Sequence, residues 1–132
     1  MIAVDSNDKL IIFSLEKKCL CTDLINLNIN PSCIYIPNIY SKGFENNLIF
    51  FGALNGDIFI FDLIEFKFAQ FNLSFKSVRN YLIENKIKLK NIPLNDSPIE
   101  IRLDNTDYNR LYIVYKSIGL FILNIQVKLH YN

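Results

Sequence analysis

With 132 residues, 14 basic against 13 acidic side chains and a net charge of +1, the chain has the length of one ordinary domain. Its charge balance argues against a nucleic-acid or strongly acidic partner. The hydrophobic fraction is 51%, but no stretch reaches the roughly 18 uninterrupted apolar residues a membrane-spanning helix needs. Met1-Ile-Ala-Val4 runs straight into Asp5, with neither a basic segment nor a signal core, so a cytoplasmic chain is expected. Cys19, Cys21 and Cys33 are odd in number and irregular in spacing, which points to reduced thiols.

In chain order, Ile2–Val4 and Leu10–Leu15 read as strands around a polar turn. Cys19–Leu27 alternates and reads as one strand. Pro31, Pro37 and the Asn-rich stretch 38–47 mark loops, with a strand at Cys33–Ile36 between them. Leu48–Ala53 and Asp57–Leu63 make the clearest hairpin. Asn55-Gly56 joins them, and both residues tolerate positive φ. Lys67–Leu73 reads as a further strand. Ser77–Lys90 breaks the alternation, and Val78, Leu82 and Ile83 suggest a short helix there. Ser97–Leu103 restarts the alternation, and Leu111–Tyr115 with Gly119–Ile125 reads as a last hairpin.

One phrase occurs three times: Leu10-Ile-Ile-Phe-Ser-Leu15, Ile58-Phe-Ile-Phe-Asp-Leu63 and Leu120-Phe-Ile-Leu-Asn-Ile125. Each copy follows a turn signal. The offsets are 48 residues (10 to 58) and 62 residues (58 to 120). The insertion near 76–97 accounts for the longer one. Repeats of about 40–50 residues made of short strands are the mark of propeller blades, whose faces are buried only by stacking. The expected fold is therefore all-β: antiparallel sheets of a partial β-propeller, about two WD-like blades, with one irregular or short helical insertion. The expected division is 1–30 as the end of one blade, 31–75 as a full blade, 76–96 as the insertion and 97–132 as most of the next. Four blades of about 40 residues need roughly 160 residues, so a closed ring is not expected of this chain alone. Ile58, Ile60, Leu120 and Ile122 should face one side of their sheets and Phe59, Phe61, Phe121 and Leu123 the other, with both sides covered. Open edges and apolar faces should make the isolated chain prone to aggregation.

The stretch Leu48-Ile-Phe-Phe-Gly-Ala-Leu-Asn-Gly-Asp-Ile-Phe-Ile-Phe-Asp-Leu63 resembles a hairpin in the third blade of the lethal giant larvae family, which includes tomosyn. Gln70-Phe-Asn-Leu73, Ser97-Pro-Ile-Glu-Ile101 and Leu111-Tyr-Ile-Val-Tyr-Lys-Ser-Ile-Gly119 are similar to the segments that follow it in that family. The resemblance runs from about residue 2 to 126, and the Asn-Gly hairpin alone fits most WD-type blades. It implies a non-catalytic scaffold in SNARE-dependent exocytosis and cell polarity. It also implies SNARE proteins or Rab-type GTPases as partners and peripheral contact with the plasma membrane. No binding residue carries over, because the family's SNARE contacts lie mainly outside the matched region. A generic WD-repeat adaptor, or a gene fragment without independent function, are the alternatives.

No catalytic, cofactor-binding or metal-binding residue is expected, and the chain is read as no enzyme. Cys19-x-Cys21 with Cys33 lacks the four ligands of a structural zinc site and reads as small buried hydrophobes. The single histidine, His130, has no catalytic motif around it. Four glycines scarcely build a phosphate loop. Asp57, Asp62 and Asp104 read as turn residues that hold backbone amides. Lys76, Arg79, Lys86, Lys88 and Lys90 give 76–90 a basic bias, read first as a solvated connector and second as an anionic-lipid contact. Asn72-Leu-Ser74 and Asn95-Asp-Ser97 match the glycosylation pattern by chance.

Overall fold

The computed structural model describes residues 2–5, 7–20, 25–37, 48–63, 65–85, 92–104 and 110–124. They are built from antiparallel β-sheets and one short helix, the all-β architecture expected from the repeated strand phrases. The chain divides into two compact units, Met1–Pro31 and Ser32–Asn132.

In the first unit, β1 (Ile2–Val4) pairs with β2 (Lys9–Ser14), placing Val4 opposite Leu10. The Asp5 carboxylate accepts the amides of Asn7 and Lys9, each at 2.9 Å, and so closes the turn between them. Asp8 follows with φ +62°, a left-handed conformation that Asp tolerates better than most residues. The opposite edge of β2 is taken by two short pieces, β3 (Cys19–Leu20) and β4 (Ile25–Asn26). The strand expected over Cys19–Leu27 is described at Cys19–Leu20 and Ile25–Asn26, both paired with β2, and residues 21–24 lie outside the described residues. Among the described residues of this unit, Leu10 and Leu27 are buried apolar side chains.

In the second unit, β5 (Pro31–Tyr35, beginning at the boundary), β6 (Leu48–Ala53), β7 (Ile58–Asp62) and β8 (Lys67–Leu73) form a sheet in chain order. β9 (Pro98–Leu103), β10 (Arg110–Tyr115) and β11 (Gly119–Asn124) form a second one. Between them lies α1 (Phe75–Glu84). The helix begins two residues before the expected Ser77, because Ser74 caps it. The Ser74 hydroxyl accepts the Ser77 amide at 3.3 Å, satisfying a donor the first turn leaves unpaired. Phe75, Val78 and Leu82 then fall on one buried stripe. The helix ends at Asn85, and residues 86–90 of the expected helix lie outside the described residues.

The three copies of the repeated phrase occupy the same structural position. Val4 faces Leu10, Gly52 faces Ile58, and Val114 faces Leu120. Across the other edge, Leu10 faces Ile25 and Ile58 faces Leu73, the same offset of 15 positions in both sheets. Identical register means that each hairpin sends the same positions to the same face, because strand side chains alternate with period two. Both repeat offsets are even, so one face of every hairpin carries even-numbered residues and the other odd-numbered ones.

The core of the second unit lies between its two sheets. Phe50, Ile58 and Ile60, from the even face of β6 and β7, share one buried cluster with Ile101, Leu103, Leu111, Ile113 and Tyr115, from the odd face of β9 and β10. Phe75, Val78 and Leu82 of α1 belong to the same cluster. The sheets therefore stack through unlike faces. Between the two sheets, the Ser32 hydroxyl lies 2.7 Å from the Pro98 carbonyl, and within its own sheet 3.1 Å from that of Gly52. A Cβ at Gly52 would collide with the Pro98 ring and come within 2.7 Å of Cys33 Sγ, so the two sheets meet where only glycine fits.

Candidate interaction surface

The sequence suggests turn aspartates, and at one end of the second unit the structure joins several turns into one clamp. The Asp57 carboxylate accepts the Phe75 amide at 2.8 Å, tying the β6–β7 turn to the start of α1. Asn55 supports Asp57 by accepting its amide at 3.0 Å. Asp96 is buried, and its carboxylate accepts the amides of Ser117 (3.0 Å) and Ile118 (2.9 Å) in the β10–β11 turn. The Ser97 hydroxyl donates to the Leu54 carbonyl at 2.7 Å. The Tyr115 hydroxyl donates to the Gly56 carbonyl at 3.1 Å. Burial raises the Tyr115 phenol above its ordinary value, and the nearby Asp57 and Asp96 carboxylates add to the rise. The acceptors of this clamp are filled by the chain's own amides and hydroxyls. Its chemistry is that of a fastening.

In the first unit, the Asp8 backbone carbonyl accepts the Leu27 amide at 2.9 Å, and its carboxylate accepts the Ile29 and Asn30 amides. By the shared register, Leu27 stands where Phe75 stands in the second unit. Each lies two positions past the residue paired with Leu10 or Ile58 (Ile25 and Leu73), is buried, and has its amide held by the hairpin turn.

Of the other aspartates singled out by sequence, Asp62 accepts the Glu65 amide at 3.1 Å and Asp104 accepts the Tyr112 hydroxyl at 3.1 Å. Asp8, Asp96 and Tyr115 are absent from the sequence-derived set. The Asn-Asp-Ser-Pro run at 95–98 carries a turn signal, but its grip on residues 117 and 118 is non-local. Cys33 is half-buried, and burial pushes its thiol up against the pull of hydrogen bonds with Gly52 and Ser32. Cys19 is exposed, which corrects the expectation of a buried small hydrophobe. It begins a two-residue strand, both of whose residues are exposed. Cys21 and His130 lie outside the described residues. Among the described residues, no three His, Cys, Asp or Glu side chains gather as a metal site. In the basic segment, Lys76 is exposed, Arg79 is half-buried with Nε lacking a hydrogen-bond partner among the described residues, and Lys86, Lys88 and Lys90 lie outside them. No described helix is long and apolar enough to cross a membrane.

The feature left over is the even face of the β9–β11 sheet. Leu120 and Ile122 were expected to be covered like Ile58 and Ile60. They are 60% and 52% exposed, whereas Ile58 and Ile60 are buried. The difference comes from stacking, because the β9–β11 sheet covers the even face of β6 and β7, and nothing among the described residues of the second unit does the same for its own. Val114 lies opposite Leu120 and Tyr112 opposite Ile122, both half-buried. Ile99, 58% exposed, is the extra residue where the β9–β10 ladder slips between Val114 and Tyr115. The Glu100–Arg102 pair, 2.7 Å apart, borders this patch with no net charge.

No family model matches the chain, and no curated protein and no solved structure matches it.

Proposed function

We propose that the chain is a non-catalytic protein-interaction scaffold, a WD-like propeller portion similar to the lethal giant larvae family. Its role in that reading is the regulation of SNARE-dependent exocytosis and cell polarity. The observation that carries the scaffold reading is the common register of the three hairpins, alongside the stacking of the two sheets of the second unit. The polar clusters support it too, since their hydrogen-bonding groups fasten turns to one another. The exocytic assignment draws on the Asn55-Gly56…Asp62-Leu63 hairpin followed by Ser97-Pro98-Ile99. In this reading the partner is a plasma-membrane SNARE or a Rab-type GTPase, and the protein is cytoplasmic with peripheral contact at the plasma membrane.

Because the Asn-Gly hairpin fits most WD-type blades, a generic adaptor of another pathway is the second reading. Retention of a purified plasma-membrane SNARE domain on the immobilised chain, or on any longer protein encoded at its locus, separates the two. Selective retention is expected. Its absence with both proteins removes the exocytic assignment and leaves the generic adaptor.

A further inference from the structure

We propose that Asn55 is a site of spontaneous deamidation, held in check by the clamp around it, and that its conversion releases the start of α1. The reaction needs no partner, so the SNARE experiment can fail without affecting it. Asn55-Gly56 is the one Asn-Gly pair in the sequence. A glycine has no Cβ, so its backbone nitrogen lies open to the side chain before it. In the reaction the Gly56 nitrogen gives up its proton and attacks Asn55 Cγ. The new N–Cγ bond closes a succinimide ring, the Cγ–Nδ2 bond breaks, and the amide group leaves as ammonia with the proton Gly56 lost. Water then opens the ring at either carbonyl, its hydroxyl going to the carbonyl carbon and its proton to the nitrogen. The product is aspartate, or isoaspartate with the main chain routed through the former side chain.

The folded turn occupies every group this chemistry needs. Asn55 is exposed, but its Oδ1 accepts the Asp57 amide at 3.0 Å and its Nδ2 donates to Asp57 Oδ2 at 3.2 Å. Gly56 is buried, and its amide donates to the Ala53 carbonyl at 2.9 Å. Its own carbonyl accepts the Tyr115 hydroxyl. The nucleophile's proton is therefore engaged and its residue is pinned on both sides. Deamidation requires the turn to open, and its rate follows the population of the open turn.

The products undo the fastening. Aspartate puts a carboxylate oxygen where Asn55 Nδ2 donates to Asp57 Oδ2, so a donor–acceptor contact becomes one between like charges. Asp57 is the residue whose carboxylate holds the Phe75 amide at 2.8 Å. Isoaspartate lengthens the main chain by a methylene inside a turn closed by the Ala53 amide donating to the Asp57 carbonyl at 2.8 Å. Either product loosens the hold on the first residue of α1, and hydrolysis makes the change one-way.

The test incubates the full chain in mildly alkaline buffer, with and without denaturant. Residue 55 is followed by peptide mass mapping and isoaspartate by enzymatic methyl transfer. In denaturant, deamidation should concentrate at Asn55, and in the native chain it should run at least about tenfold slower. Tyr115→Phe frees the Gly56 carbonyl and should raise the native rate about fivefold or more while keeping the β-sheet circular dichroism of the parent. Asn55→Asp should lose amide protection from hydrogen exchange at Phe75 and keep it at residues 117 and 118, whose acceptor is Asp96. Equal rates in the native and denatured chain overturn the proposal. So does a native rate unmoved by Tyr115→Phe, or an Asn55→Asp chain that protects Phe75 as the parent does. If Tyr115→Phe does not fold, the native-to-denatured ratio and Asn55→Asp still decide.

Discussion

The Tyr115 hydroxyl donates to the Gly56 carbonyl, 3.1 Å away and 59 residues earlier in the chain. The Tyr115 ring at the same time packs on Phe75, centroid to centroid 5.4 Å. One side chain thus links the β6–β7 turn, the first residue of α1 and the end of β10. Tyr115→Phe keeps the ring contact but strands a buried carbonyl. A loss of about 1–2 kcal/mol is expected in urea unfolding at neutral pH.

The same phenol sets an alkaline limit. Its proton is held more tightly in the folded chain than in the unfolded one, where tyrosine titrates near ~10. Above that value the folded state binds the extra proton, so stability falls as pH rises. Denaturant midpoints measured through the alkaline range should fall more steeply for the parent than for Tyr115→Phe. Parallel curves would show that another group governs the alkaline loss.

Two glycines with positive φ make a controlled comparison. Gly56 has φ +104°, and a Cβ there would lie 2.6 Å from the Asp96 carbonyl and 2.7 Å from the Phe75 ring. Gly119 has φ +84° with open space around it. Gly119→Ala should cost only the backbone term, about 1–2 kcal/mol. Gly56→Ala adds overpacking of about 1–3 kcal/mol to that term. Equal losses in thermal melts would show that the clamp yields to the added methyl.

Asp96→Ala removes the acceptor of the Ser117 and Ile118 amides. A destabilisation of about 1–3 kcal/mol is expected for the donors left without a partner. Amide hydrogen exchange offers a local readout. Protection should drop at residues 117 and 118 and persist at Phe75, whose acceptor is Asp57.

Thiol labelling separates the two described cysteines. Exposed Cys19 should react with a disulfide reagent at once. Half-buried Cys33, with its thiol pushed up by burial, should react more slowly until denaturant is added. A Cys21→Ser background makes the assignment unambiguous, and equal rates would contradict the burial of Cys33.

How much could be read beforehand follows from the range of the forces involved. The Asn55-Gly56 turn, the Asp5 turn and the period-two alternation are local, and they carry the hairpins and their common register within a residue or two. The start of α1 was misplaced because a Ser cap works together with burial of Phe75, and burial is decided by distant residues. Asp96 and Tyr115 escaped for the same reason, their partners lying 21 and 59 residues away.

The amino-acid order by itself therefore dictates three equivalent hairpins whose residues alternate between two faces, since alternation and turn chemistry act over a few residues. Which faces become core belongs to tertiary structure alone. Ile58 and Leu120 occupy equivalent positions with equivalent side chains, and one is buried while the other is in water. Burial depends on what a neighbouring sheet brings, and no local pattern encodes that.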